Sequence, residues 1–225
     1  MTMSAAELLI VGLSLKVALV AMVLSLPLAL AVAWLLARRQ FFGKSLLNIV
    51  VHLPLVLPPV VTGYLLLLAF GSQGALGGFL EALGLPLAFR WTGAVLAAAI
   101  MAFPLMVRAI RLGIEAVDPK LEQAATTLGA SPFKVFTTVT LPMCLPAIIA
   151  GSVLAFAKAM GEFGATITFV ASIPGETRTL PSAIYAFLQV PGAEASAIKL
   201  TIIAVAIAVA ALLVSEWLAQ KAARR

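Results

Sequence analysis

Long apolar runs separated by short polar stretches set the pattern of this chain. The runs fall at about 9–37, 46–70, 92–114, 143–172 and 198–219. Each is long enough to cross about 30 Å of hydrocarbon as a helix, which takes roughly 20 residues. The pattern predicts five transmembrane helices in an all-α integral membrane fold, built as a single transmembrane domain over residues 1–225. Glu7, rather than a basic region, precedes the first run, and Leu8–Ala37 is too long for a signal-peptide core. That run is expected to stay as an anchor.

Three of the runs contain helix breakers. "HLPLVLPPVVTGY" (52–64) holds Pro54, Pro58, Pro59 and Gly63, and the next run holds Pro104. "AFAKAMGEFGATITF" (155–169) carries two charges and two glycines in its middle. A proline inside a helix frees a carbonyl, which in lipid must find a partner on a neighbouring helix or in a watery cavity. One such proline merely kinks a packed helix. Three interrupted spans, one with ionisable side chains, point to a polar pathway. The fourth run, about 30 residues, would reach roughly 45 Å as one straight helix, so a bend near Gly161–Gly164 is expected. Beyond it, Pro and Gly in 173–197 bracket Ser182–Val190, an apolar stretch suited to a short helix at the outer mouth. No internal repeat is visible. Transport folds often need two related halves, so a homodimer is expected.

Composition and charge sharpen this reading. Apolar residues make up 63% of the chain and charged residues 11%, against about 25% charged in a soluble domain. The net charge of +6 would suit nucleic acid, but its distribution says otherwise. Arg38, Arg39 and Lys44 fill the first loop, while Arg108, Arg111, Lys120 and Lys134 fill the third. Lys221, Arg224 and Arg225 end the chain, and the second and fourth loops hold Arg90 and Arg178. This is the positive-inside bias: the amino terminus lies outside and the carboxyl terminus in the cytoplasm, with no nucleic-acid partner. A lone Cys144 excludes an internal disulfide and a Cys-based metal site. A lone His52 excludes a His cluster within one copy and, beside prolines, reads as a structural hydrogen-bonder.

One polar insert stands out: "LEQAATTLGASPFKVFTTVTLP" (121–142), within a cytoplasmic loop of about 115–142. Asp118–Pro119 is a helix start, with an acceptor at the N-cap and proline in the first turn. Leu121, Ala125 and Leu128 then share a face, and Glu122 lies where the helix dipole favours a negative charge. Gly129 can end the helix in a left-handed conformation, and Ser131–Pro132 starts a second helix in the same way. The small residues Ala124, Ala125, Thr126 and Thr127 would let a partner backbone approach closely. Docking of another protein and an amphipathic hairpin on the membrane surface both remain open from these residues alone.

The same segment resembles the Glu-Ala-Ala cytoplasmic loop of ABC-transporter permeases. Gly129, Val139, Leu141 and Pro142 fit that register, while Gln123 stands at the family's Glu position and Glu122 lies one residue early. The stretches "PLVLPPVVTGYLLL" (54–67), "GEFGATITFVASIPGETRTLPSAIY" (161–185) and "SEWLA" (215–219) extend the likeness. They closely resemble permease subunits of bacterial molybdate ABC importers of the inner membrane. "GEFGA" is shared with sulfate permeases. The resemblance implies that Glu122, Gln123, Ala124, Ala125, Gly129, Ser131 and Pro132 couple the spans to two copies of a separate ATPase, which binds ATP and Mg. It also implies delivery by a periplasmic oxyanion-binding protein, with tungstate and sulfate or thiosulfate as alternative cargo. No cofactor is expected on this chain.

A tetrahedral dianion needs donors along its path, yet Glu162 lies in the fourth run. Lys158, four residues earlier, shares its helical face and is expected to neutralise it. This assigns Glu162 to a gate or structural role. Thr166, Thr168 and the amides near Gly161 and Gly164 are candidates for transient contacts, unless the hydroxyls bond their own helix carbonyls. Lys16 either lines the pathway or snorkels outward. "RRQFFGKS" (38–45) contains Gly-Lys-Ser, but Arg38 replaces the first glycine of a P-loop and no strand precedes it. The energy must therefore come from another chain. An intramembrane enzyme would need paired catalytic groups, which are missing, and a passive channel would have no use for the loop.

Overall fold

The computed structural model describes residues 3–223, so Arg224 and Arg225 lie outside it. The described residues form helices and connecting turns. Helix α1 (Ala5–Arg38) begins at a capping box: Ser4 Oγ accepts from the Glu7 amide, and the Ser4 amide donates to Glu7 Oε2 at 2.8 Å. At 34 residues the helix is about 51 Å long, longer than the bilayer core is thick. Its buried face reads Ser14, Ala18, Ala21, Ser25, Ala29, Ala33, a three-four spacing of small side chains. Small residues let helices approach closely where no water drives them together.

That face packs on α5 (Trp91–Glu115), which is central to the fold and itself buries Ala94, Ala97, Ala98, Met101 and Ala102. Before it come α2 (Lys44–Val56), α3 (Pro59–Phe70) and the short α4 (Gly77–Ala82). After it come α6 (Pro119–Thr127), α7 (Pro132–Val135), a π-helical turn (Phe136–Thr140), α8 (Leu141–Met143) and α9 (Leu145–Met160). The chain ends with α10 (Gly164–Val170), α11 (Leu180–Leu188) and α12 (Glu194–Ala223).

Three helices are long and apolar enough to cross a membrane, or up to five spans if each bent helix pair counts as one. The run 46–70 is not one straight span. It bends by 114° between α2 and α3, where Pro58–Pro59 removes two backbone donors in a row. The fourth run does break at Gly161–Phe163, and Ser182–Val190 does contain a helix, α11. A further bend of 70° at Cys144 was not expected. The third run corrects the expectation of a break. Pro104 lies buried inside a continuous α5, packed between α1 and α9, so the helix carries on through one missing hydrogen bond.

The short helices α3 and α10 cross each other. A Cβ on Gly63 would lie 2.5 Å from the Ala165 carbonyl oxygen, and one on Gly164 would lie 2.6 Å from Pro59 Cβ. Both positions therefore need glycine for space. At the amino-terminal end of α1, Glu7 is 4% exposed and meets Lys199 of α12 at 3.0 Å. Ser14 Oγ accepts from the Leu180 amide at 2.7 Å, capping α11 from a different helix. His52 donates to the Asn48 carbonyl at 2.8 Å, the structural role expected of it.

Replacing Gly63 with Val should destabilise the protein by about 1–3 kcal/mol through overpacking. Gly12→Ala, which meets nothing within 4 Å, should not. Thermal unfolding of the two purified variants in detergent checks this.

Candidate functional site

Two regions carry the candidate residues. In the first, α6 and α7 form the compact module that the polar insert suggests. Asp118 caps α6, its side chain accepting from the Lys120 amide at 2.9 Å. Gly129 has φ +82°. The Ala130 amide reaches the Ala125 carbonyl and the Gly129 amide reaches that of Thr126, the paired bonds of a Schellman motif. Ser131 then caps α7 at the Lys134 amide.

The two sides of this module differ. Gln123, Ala124, Gly129, Ser131 and Pro132 are exposed, and Ala125 is half-buried. Leu128 and Phe133 are 89% and 77% exposed, large apolar side chains with no cover in this chain. Phe133 went unrecognised in the sequence because a single aromatic residue inside a four-residue helix has no periodicity to reveal it. Thr126 and Thr127 spend their hydroxyl protons on the Glu122 and Gln123 carbonyls.

Glu122 faces the opposite way, into its own chain. Arg38 Nε lies 3.1 Å from its Oε2 and 3.2 Å from its Oε1, and Arg38 Nη2 donates to the Val117 carbonyl at 2.9 Å. Thr140 Oγ1 donates to Glu122 Oε1 at 2.6 Å. Thr140 closes the π-helical turn, which packs against α6. Trp34 meets Phe136 edge-on, with centroids 6.3 Å apart. Neither Arg38 nor Thr140 could be assigned from the sequence, since Arg38 reads as one more positive-inside charge.

The second region is the broken fourth span. Glu162 is 2% exposed, and Lys158 Nζ lies 2.8 Å from its Oε2. Its Oε1 accepts from the Ala165 amide at 3.0 Å, so the carboxylate caps α10 across the break. Each carboxylate oxygen of Glu162 thereby has a donor from its own chain. Thr166 donates to the Phe163 carbonyl at 2.9 Å and Thr168 to the Gly164 carbonyl at 2.9 Å. Both hydroxyls thus take the local alternative. Gly161 follows the end of α9, and Gly164 sits at the α3 crossing. Lys16 lines neither region: its ammonium lies 3.5 Å from the centroid of Trp91.

Arg38 binds Val117 and Glu122, and Arg90 approaches Glu176 at 3.6 Å. The first and third loops therefore share one end of the molecule, and the second and fourth share the other.

Among the described residues the chain is an all-helical domain with helices long and apolar enough to cross a membrane, two bent helix pairs and an exposed helix pair at one end. The chain belongs to the family of binding-protein-dependent transport system inner membrane components, whose model matches residues 10–224. It is 61% identical over 209 residues to the molybdenum transport system permease protein ModB of Escherichia coli (strain K12), covering 92% of this chain and 91% of that one. It is 58% identical over 212 residues to ModB of Haemophilus influenzae, covering 94% and 93%. The fold matches a crystal structure of a bacterial ABC transporter involved in the import of alginate, with TM-score 0.76 and 17% identity over 97% of this chain and 80% of that one.

Removing the Glu162 side chain as Ala should cost about 1–3 kcal/mol, because it strands the Ala165 amide and leaves Lys158 unpaired. Glu162→Gln keeps the acceptor and should cost less. Neither variant should alter discrimination between an anion and a neutral solute, which thermal unfolding and competitive uptake into vesicles would measure.

Proposed function

We propose that this chain is the permease subunit of an ATP-driven importer that moves molybdate across the inner membrane by alternating access. The cargo follows from the two ModB relatives, and the mechanism rests on one observation. The α6–α7 pair is exposed and apolar on one side, at Leu128 and Phe133, and tied into the spans on the other. A passive channel would need no such part, and an intramembrane enzyme would need catalytic groups that Glu162, already engaged twice, does not supply.

In this reading, Gln123, Ala124, Ala125, Gly129, Ser131 and Pro132 form the surface that meets an ATPase subunit, with Leu128 and Phe133 as its apolar anchors. ATP and Mg belong to that subunit, and this chain binds no cofactor. The amino terminus lies outside and the carboxyl terminus in the cytoplasm, so the loops that Arg38 joins are cytoplasmic. Two copies pair through their spans. The middle of helix α12, residues 202–214, is apolar all round and exposes Ile202, Val205 and Leu213, leaving surface for lipid or the second copy. Two ATPase subunits attach below, and a periplasmic oxyanion-binding protein delivers the dianion above.

The pathway has Lys158, Gly161, Glu162, Gly164, Thr166 and Thr168 at the break in the fourth span. Glu162 acts there as a structural hinge pin, not as a ligand, and Thr166 and Thr168 give the anion few fixed donors. Such a route conducts without holding. Selection among molybdate, tungstate and sulfate then lies with the binding protein. Nucleotide can move the spans only by binding one arrangement more tightly than the other.

In vesicles holding the reconstituted complex, labelled molybdate should enter only when ATP and the binding protein are both supplied. Leu128→Asp together with Phe133→Asp should abolish copurification of the ATPase and reduce uptake to background. Undiminished uptake without nucleotide, or with the doubly substituted chain, would overturn the proposal.

A further inference from the structure

Two of the long elements receive any displacement of the α6–α7 pair through the chain itself. α5 is joined to α6 by residues 116–118, and α7 runs through the π-helical turn and α8 into α9. α1 has no such link, because its end is separated from α6 by the whole of α2–α5. What connects α1 to the pair is side-chain contact, centred on one residue. We propose that Arg38 is the positioning residue that carries motion of the helix pair into α1, with Glu122 and Thr140 completing the joint. This rests on the reading of the chain as an ATP-driven permease and adds the route by which its first span is moved.

The geometry supports a joint, not a loose surface pair. The Arg38 and Glu122 side chains are 16% and 19% exposed, so solvent screens them only partly. The planar guanidinium bonds the carboxylate of α6's first turn and, separately, the Val117 carbonyl just before its cap. Two directions of motion of α6 relative to α1 are thereby resisted by one rigid group, which an ammonium on a flexible stem cannot do. Thr140 ties the same carboxylate to the π-helical turn, so α6, the start of α9's arm and α1 meet at a single side chain. Trp34 against Phe136 adds an apolar stop beside the joint. The three partners lie 18 and 84 residues apart in sequence, which is why no local pattern marks them.

The test uses the complete complex in vesicles, with uptake of labelled molybdate and ATP hydrolysis measured on the same preparation. Arg38→Gln should leave the ATPase bound and hydrolysing, while molybdate moved per ATP falls about tenfold, the size of an ordinary coupling term. Exchanging the charges, Arg38→Glu with Glu122→Arg, should recover a large part of that ratio compared with either single change. A merely structural role would lower the amount of complex and leave the ratio alone. An unchanged ratio in Arg38→Gln, or a double variant no better than the singles, would overturn the proposal. If Arg38→Gln does not assemble, Arg38→Lys keeps the charge but not the fork, and a wild-type ratio in that variant would count against the joint. Failure of the underlying reading would show differently, as a wild-type complex with no ATP-dependent uptake.

Discussion

In hydrocarbon no water is available to satisfy a broken backbone, and this constraint governs the whole fold. Helices α3 and α10 are too short to span a membrane, and each begins at an interruption that leaves amides and carbonyls without helical partners. They persist because they are pressed together at Gly63 and Gly164, against the uninterrupted α5. The Glu162 carboxylate satisfies the Ala165 amide inside the break, and Lys158 neutralises the charge that this introduces. Polarity in the fourth span thus serves the helix break first. Buried in the span, the carboxylate is tolerable because it is paired with an ammonium and each oxygen has a donor.

The same logic holds at the two ends of α1. At its start, Glu7 closes a capping box and also meets Lys199 of α12, so one buried carboxylate joins a helix terminus to a distant span. At its finish, Arg38 does the equivalent work for the α6–α7 pair. α1 is therefore held by charge at both ends and by close small-residue packing along its length, where Ala18, Ala21, Ala29 and Ala33 meet α5. The helix stays continuous over its 34 residues even with Pro27 inside it.

Much of this was legible in the residues. Apolar run length predicted five spans, and the structure has three helices long enough to cross a membrane, or up to five spans if each bent pair counts as one. Asp118–Pro119, Gly129 and Ser131–Pro132 predicted both short helices with their caps, because capping chemistry is local. The i,i+4 spacing of Lys158 and Glu162 predicted their pairing for the same reason. Pro104 misled because the effect of a proline depends on what holds the helix on either side. The bend at Cys144 lies between Pro142 and Pro146, each of which removes a helical donor, so its signal was present in the residues, whereas the inward turn of Glu122 depends on where Arg38 ends up.

The sequence by itself determined the class of molecule, the number of apolar runs, the helix ends and the break at Gly161–Phe163, since each follows from solvation or from hydrogen bonds within a few residues. Only the tertiary structure decided that Pro58 turns the chain by 114° while Pro104 does not, that Gly63 and Gly164 mark a crossing, and that Arg38 reaches Glu122. Those outcomes depend on groups far apart in the chain, brought together by packing that no short window of sequence contains.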